Sequence, residues 1–155
     1  MKSMQELIIT HPFFAEMEHD CSEMFCSCAG NVRFAEGEVV FKEGEKADDF
    51  YLLRAGRVGL ESFVPGRGAI VFQTLEAGDI FGTSSLVPPY VWSFDARALE
   101  PSRVFRFDAA CLRGKCEENP AMGYVLMKAL VPKLVRRLQG ARFQGLNLYA
   151  DKEAQ

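Results

Sequence analysis

From Val39 onward the apolar residues come in short runs or alternate with polar ones, and glycines punctuate them. The runs fall at 39–41, 50–53, 57–63, 69–75, 79–81, 93–99 and 103–107, separated by Gly37, Gly44, Gly56, Pro65-Gly66-Arg67-Gly68 and Gly78. Short strands with a turn signal roughly every eight to twelve residues belong to antiparallel barrels and jelly rolls. The pattern therefore predicts a mainly β fold with flanking helices. Residues 31–107 form its roll, a double-stranded β-helix barrel.

On either side of the roll the period becomes helical. Residues 3–29 read as helix, broken near the start by Pro12 and stopped by Cys28-Ala29-Gly30-Asn31. From Asp108 the helical period returns and fills a C-terminal segment, 108–150. Asp108 to Cys116 makes a short helix, and Asn119-Pro120 supplies the cap and first-turn proline of a longer one. Along that helix Met127, Val131, Leu134, Leu138, Ala141, Gly145 and Leu148 recur at alternating spacings of four and three, which is a heptad seam. Such a seam packs on its own barrel or on a second copy. Leu126, Leu130 and Val135 beside it make the apolar set wider than one docking face needs, so the expectation is a homodimer through residues 120–148. Pro132 removes the bond to residue 128 and predicts a kink.

Composition narrows the class. A chain of 155 residues that is 48% apolar buries one sizeable core, so residues 1–155 are read as a single domain. The N-terminal apolar run Leu7-Ile8-Ile9 stops at His11-Pro12, too soon for a secretory signal. No stretch approaches about 18 uncharged apolar residues, so no membrane partner is expected and the location is read as cytoplasmic. Cys21, Cys26, Cys28, Cys111 and Cys116 are odd in number and lack a disulfide framework, which makes reduced thiols the default. Cys21-x4-Cys26-x-Cys28 misses the two-residue spacing of common metal sites. Cys21, Met24, Phe25 and Cys28 fall instead on one apolar helix face, favouring core packing.

Charge is uneven although the net is only −3: residues 1–102 hold 8 Lys/Arg and 16 Asp/Glu, residues 103–142 hold 9 and 3. Lys133, Arg136, Arg137 and Arg142 form a basic stripe on the long helix. It reads as a solvated face or a contact to acidic partners rather than a nucleic-acid reader. Both histidines, His11 and His19, precede the strands, so a metal site of the cupin kind lacks its ligands and enzyme function is not expected. His19, between Glu18 and Asp20, reads as solvated.

The order of elements resembles the cyclic nucleotide-binding domain of the catabolite activator (Crp/Fnr-like) family. His11-Pro12-Phe13-Phe14, Phe34 through Gly44, Phe50 through Val58, and Gly78-Asp79-Ile80-Phe81-Gly82 carry the likeness, which spans roughly residues 10–150. In that family the phosphate-binding cassette is implied to read Phe-Gly-Glu, a variable loop, then Arg, Ser or Thr, and Ala. The Glu takes the ribose hydroxyl, the Arg takes the cyclic phosphate, and backbone N–H groups cradle the anion. Here Thr83 stands at the Glu position, and counting back from Ala96-Arg97-Ala98 puts Trp92 at the Arg position.

Arg97 does not replace the missing guanidinium. Trp92, Phe94 and Ala96 share one strand face and Ser93, Asp95 and Arg97 the other, so Arg97 is expected outside the roll, paired with Asp95. Removing one partner of a buried charge pair costs about 3–5 kcal/mol, and a lost hydrogen bond to a charged group about 1.5–3 kcal/mol more. At about 1.4 kcal/mol per decade, a micromolar nucleotide site weakens to millimolar or beyond. The candidate ligand site is Phe81, Gly82, Thr83, Ser84, Ser85, Trp92 and Ser93. It is expected to be plugged by Trp92, to hold a changed small ligand, or to keep weak cyclic nucleotide binding, with no other cofactor. The resemblance implies a regulatory module that senses a ligand and signals through the helix dimer to an unidentified regulatory protein partner. Too few residues follow Tyr149 for the family's DNA-binding helices, so direct DNA binding is not expected. A pure protein-interaction module and, more remotely, a cysteine-based redox sensor are the alternatives.

Overall fold

The computed structural model of the chain describes residues 1–15, 17 and 19–153, with the side chains of 19–21, 143, 144 and 148–153 outside that description. His19, Cys21 and Leu148 therefore lie outside the described side chains. Helices α1 (Met4–Ile9) and α2 (His19–Cys26) lead into strands β1 (Ala29–Phe34), β2 (Val39–Phe41), β3 (Asp49–Ala55), β4 (Val58–Val64), β5 (Gly68–Leu75) and β6 (Ile80–Phe81). A short 3-10 helix (Thr83–Leu86), β7 (Asp95–Ala98) and β8 (Ser102–Asp108) follow, then α3 (Ala109–Glu118) and α4 (Pro120–Glu153). The strands form two antiparallel four-stranded sheets, in the orders β1-β8-β3-β6 and β2-β7-β4-β5.

The run Phe50-Tyr51-Leu52-Leu53 is buried on both sheet faces, and strand alternation divides it between two cores. Tyr51 and Leu53 point between the sheets, where Phe41, Leu60, Phe81, Trp92 and Val104 gather. Phe50 and Leu52 point outward, under the helices, with Phe14, Phe25, Phe105, Phe107 and Leu112. Leu126 and Leu130 of α4 also sit in this outer core, almost fully buried. The wide apolar set of α4 is thus split. Leu126 and Leu130 dock the helix on its own roll, while Met127, Val131, Leu134, Val135 and Leu138 on the adjoining face stay exposed. Helix α4 is continuous through Pro132.

The expected break at Pro12 is present, with turns through His11 and Phe14 separating α1 from α2, but among the described residues helix covers only Met4–Ile9 and His19–Cys26 of the range 3–29. Where a helix stop was expected, Ala29–Phe34 extends as β1 and pairs along its full length with β8, from Ala29 opposite Phe107 to Phe34 opposite Ser102. Partner strand β8 overrides the poor strand propensity of Gly30 and Asn31. The thiols also differ from the reduced default. Cys28 and Cys111 are joined in a disulfide that ties the end of the N-terminal segment to the first turn of α3. Cys26 and Cys116 are free.

His11 is the polar group at the centre of this junction. Its Nδ1 accepts from the Phe13 N–H at 3.2 Å, which leaves the ring proton on Nε2 for the Leu53 carbonyl at 3.1 Å. Burial is the main cause that holds its pKa below the usual histidine value. The unfolded chain, titrating near about 6.5, then takes up this proton before the folded one does. The associated stability is complete above that pH and is lost as pH falls toward the folded pKa. Urea denaturation is expected to show stability declining as the pH drops below about 6.5. A His11→Gln variant, which keeps a donor and an acceptor but does not titrate there, should show a smaller decline, and equal slopes would contradict the assignment.

Candidate functional site

Residue 82 must turn the chain sharply from β6 into the 3-10 helix, and it does so with φ at +82°. Only glycine takes this conformation without strain. Space is short as well: a Cβ on Gly82 would lie 3.0 Å from the Asp49 carbonyl oxygen, 3.0 Å from Tyr51 and 3.3 Å from the far edge of the Trp92 indole. Gly82→Ala is expected to lower the unfolding free energy by about 1–3 kcal/mol, read as a shift of the urea midpoint. An unchanged midpoint would mean that the turn relaxes freely.

The indole adds to that crowding. Trp92 lies flat on Phe41, with ring centroids 3.7 Å apart and planes within 9°, and is 5% exposed. Phe81 stacks on Tyr51 at 4.8 Å behind it. The backbone of residue 92 is fixed from both sides, its N–H donating to the Glu45 carbonyl and its carbonyl accepting from the Gly44 N–H. The ring therefore reaches from the loop before β7 to the cassette glycine and packs in the core between the sheets.

The remaining candidate side chains do not converge on that interior. Ser85 is fully buried, and its hydroxyl donates to the Gly82 carbonyl at 2.7 Å. Ser93 is exposed, alternating with Trp92 along the chain. Thr83 and Ser84 are half-buried at the mouth. Arg97 does stay outside the roll interior, but it pairs with Glu61 at 3.2 Å, not with Asp95, and donates to the Gly37 carbonyl at 2.8 Å. Its strand neighbour across β4 is Gly59, which brings Glu61 of the same strand within reach. Asp95 instead accepts from the Glu43 N–H at 2.7 Å.

Arg113 was not singled out from the sequence. Projecting from α3, it donates to the Ser85 carbonyl and lies 4.1 Å over the Tyr90 ring, so the cassette is held by the helix that leads into α4. A lone arginine in a short helix carries no local signal of that role. Among the described residues no cluster of His, Cys, Asp or Glu has metal-binding geometry, and no helix is long and apolar enough to cross a membrane.

Below the docked turns of α4 the helix and the roll part. An open groove of about 910 Å³ lies between them, with Gln73, Thr83 and Phe94 on the roll side and Lys133, Arg136 and Arg137 on the helix side. Three of the four residues of the basic stripe therefore line an open groove, where Arg136 is exposed and Lys133 and Arg137 are half-buried.

The family model described as "Cyclic nucleotide-binding domain" matches residues 31–119, and the chain belongs to that family. Among curated relatives, the CRP-like cAMP-activated global transcriptional regulator of Mycobacterium tuberculosis (strain CDC 1551 / Oshkosh) is 24% identical over 133 residues, 86% of this chain. The chain spans only 59% of that regulator's length. Among solved structures, a Geobacter metallireducens GS-15 protein named for cyclic nucleotide binding is 35% identical, with a TM-score of 0.75 over 89% of this chain and 99% of that one. The Thermus thermophilus catabolite activator protein shares the fold at 22% identity, with a TM-score of 0.70 over 90% of this chain and 63% of that one.

Proposed function

We propose that this domain is a regulatory module of the cyclic nucleotide-binding fold in which binding of cyclic AMP or cyclic GMP is weak or lost, and which acts through paired α4 helices. The observation that carries the first half is the indole of Trp92, stacked on Phe41 and touching the space above Gly82, where the family's arginine would meet a cyclic phosphate. A phosphodiester entering the roll would have to displace a packed aromatic and would meet no guanidinium there. Desolvating an unpaired anion costs several kcal/mol.

The second half rests on the split face of α4. Docking on the roll uses Leu126 and Leu130, leaving Val131 and Leu138 exposed at 52% and 71%. An apolar row at heptad spacing is the surface two such helices bury against each other. The partner that reads the dimer is a regulatory protein. The reading includes a cytoplasmic location, where the Cys28–Cys111 bridge forms only under an oxidising thiol poise.

Sedimentation equilibrium tests the dimer. The chain should sediment as a dimer and Val131→Glu/Leu138→Glu as a folded monomer; a wild-type monomer at high micromolar concentration would refute this half. The close packing of Trp92 also favours the second reading, a pure interaction module without any ligand.

A further inference from the structure

Three neighbouring strands, β1, β8 and β3, carry an arginine at the same end of their outward-facing rows. On β1, Val32 and Phe34 pack toward the core between the sheets, so Asn31 and Arg33 face outward. On β8, Arg103 shares its row with Phe105 and Phe107 of the outer core, and on β3 Arg54 follows Phe50 and Leu52. Register brings the three together. Arg33 lies directly opposite Arg103, and Arg103 also lies opposite Ala55, beside the irregularity that accommodates Arg54. Arg33 and Arg103 are exposed, and Arg54 is half-buried.

This placement opposes stability. Like charges directly opposite each other in an antiparallel pair are destabilising, and no carboxylate among the described residues forms an ion pair with any of the three. Arg54 is nonetheless held in position. It donates to Asn31 Oδ1 at 3.0 Å, and its guanidinium lies 4.7 Å over the Phe105 ring. Burial is the main cause that holds its pKa below the usual arginine value, and Arg103 and Arg33 act in the same direction. A fixed cation beside two exposed ones, all without counter-charge, is the kind of local conflict that marks a functional surface.

The surroundings limit what can neutralise the cluster. At the same end of the sheet Glu36 and Glu38 follow β1 and Glu100 precedes β8, and all three are exposed. Residues 1–102 as a whole hold 16 Asp/Glu against 8 Lys/Arg. A nucleic-acid strand binds through a run of phosphate contacts, and here it would pass from three arginines onto carboxylates. A short acidic peptide segment places its charge only where the arginines are, and the planar fork of arginine takes carboxylates two bonds at a time.

We propose that Arg33, Arg54 and Arg103 form a docking surface for a short aspartate- or glutamate-rich segment of a regulatory protein. The inference rests on the reading above in taking another protein as the partner of this domain, and it uses neither the roll interior nor α4.

Fluorescence anisotropy of a labelled hexa-aspartate peptide titrated with the full chain tests it, with hexa-asparagine and hexathymidylate as comparison probes. The acidic peptide should bind saturably at up to millimolar strength, at least about tenfold more tightly than either comparison, and more weakly as salt rises. Arg33→Gln/Arg103→Gln should weaken it by at least about tenfold, the effect of losing one charge-assisted hydrogen bond, while the urea midpoint stays at or above that of the wild type. A purely structural role for the arginines would lower the midpoint instead. Absence of saturable peptide binding, a comparison probe that binds as tightly as hexa-aspartate, an unaffected double variant, or a lowered midpoint would each overturn the proposal. Sedimentation and cyclic AMP titration of the same samples keep its failure separate. A dimer without micromolar cyclic AMP affinity that ignores the peptide refutes the arginine surface alone, whereas a monomer, or micromolar cyclic AMP binding, in a chain that takes the peptide refutes the reading above alone.

Discussion

Trp92→Ala is expected to remove about 3–5 kcal/mol of stability, the range for truncating a large aromatic side chain inside a packed core. The indole is almost fully buried, stacked on Phe41 and in the same core as Tyr51, Leu60 and Phe81, so few neighbours can collapse into the space it leaves. Trp92→Phe should cost less because a second ring preserves part of the stack. Chemical denaturation measures both. Trp92→Ala does not restore nucleotide binding by itself, because it vacates space without supplying a cation. A loss of under about 1 kcal/mol, the level of a surface change, would show that the ring is not part of the core.

Cutting the Cys28–Cys111 bridge is the second large effect. The two residues are 83 apart in sequence, and closing an unfolded loop of that length corresponds to about 4–5 kcal/mol in the chain-entropy treatment. Under non-reducing conditions Cys111→Ser should fall below the wild type by an amount of that order. In reductant the two should converge, because the wild type then also lacks the bridge. Equal denaturation of oxidised wild type and Cys111→Ser would mean that the bridge is absent in solution or contributes nothing. Because α3 leads into α4, the oxidised form should also protect amides of α3 from hydrogen exchange more than the reduced form.

Much of the fold could be read from the chain because its signals are local. Glycines between short apolar runs marked most strands, and counting back from Ala96-Arg97-Ala98 placed Trp92 where the structure packs an indole beneath the cassette glycine. What escaped depends on partners distant in sequence. Ala29–Phe34 looks like a helix end and becomes a strand only because β8 offers a full ladder. Arg97 and Asp95 share a strand face, yet the β4–β7 register delivers the buried Glu61 to Arg97. Cys28 and Cys111 have no sequence relation that marks them as a pair. The groove had a signal that went unused: Leu126, Leu130, Lys133 and Arg137 form one continuous stripe, and its switch from leucine to cation marks where the groove opens.

The most direct test of the central claim is calorimetric titration of cyclic AMP into the wild type, alongside Thr83→Glu/Trp92→Arg, which supplies both side chains of the family cassette. With an indole filling the interior, the wild type should show no saturable heat at micromolar nucleotide. The double variant should bind more tightly wherever it remains folded. Micromolar binding of cyclic AMP by the wild type would contradict the account.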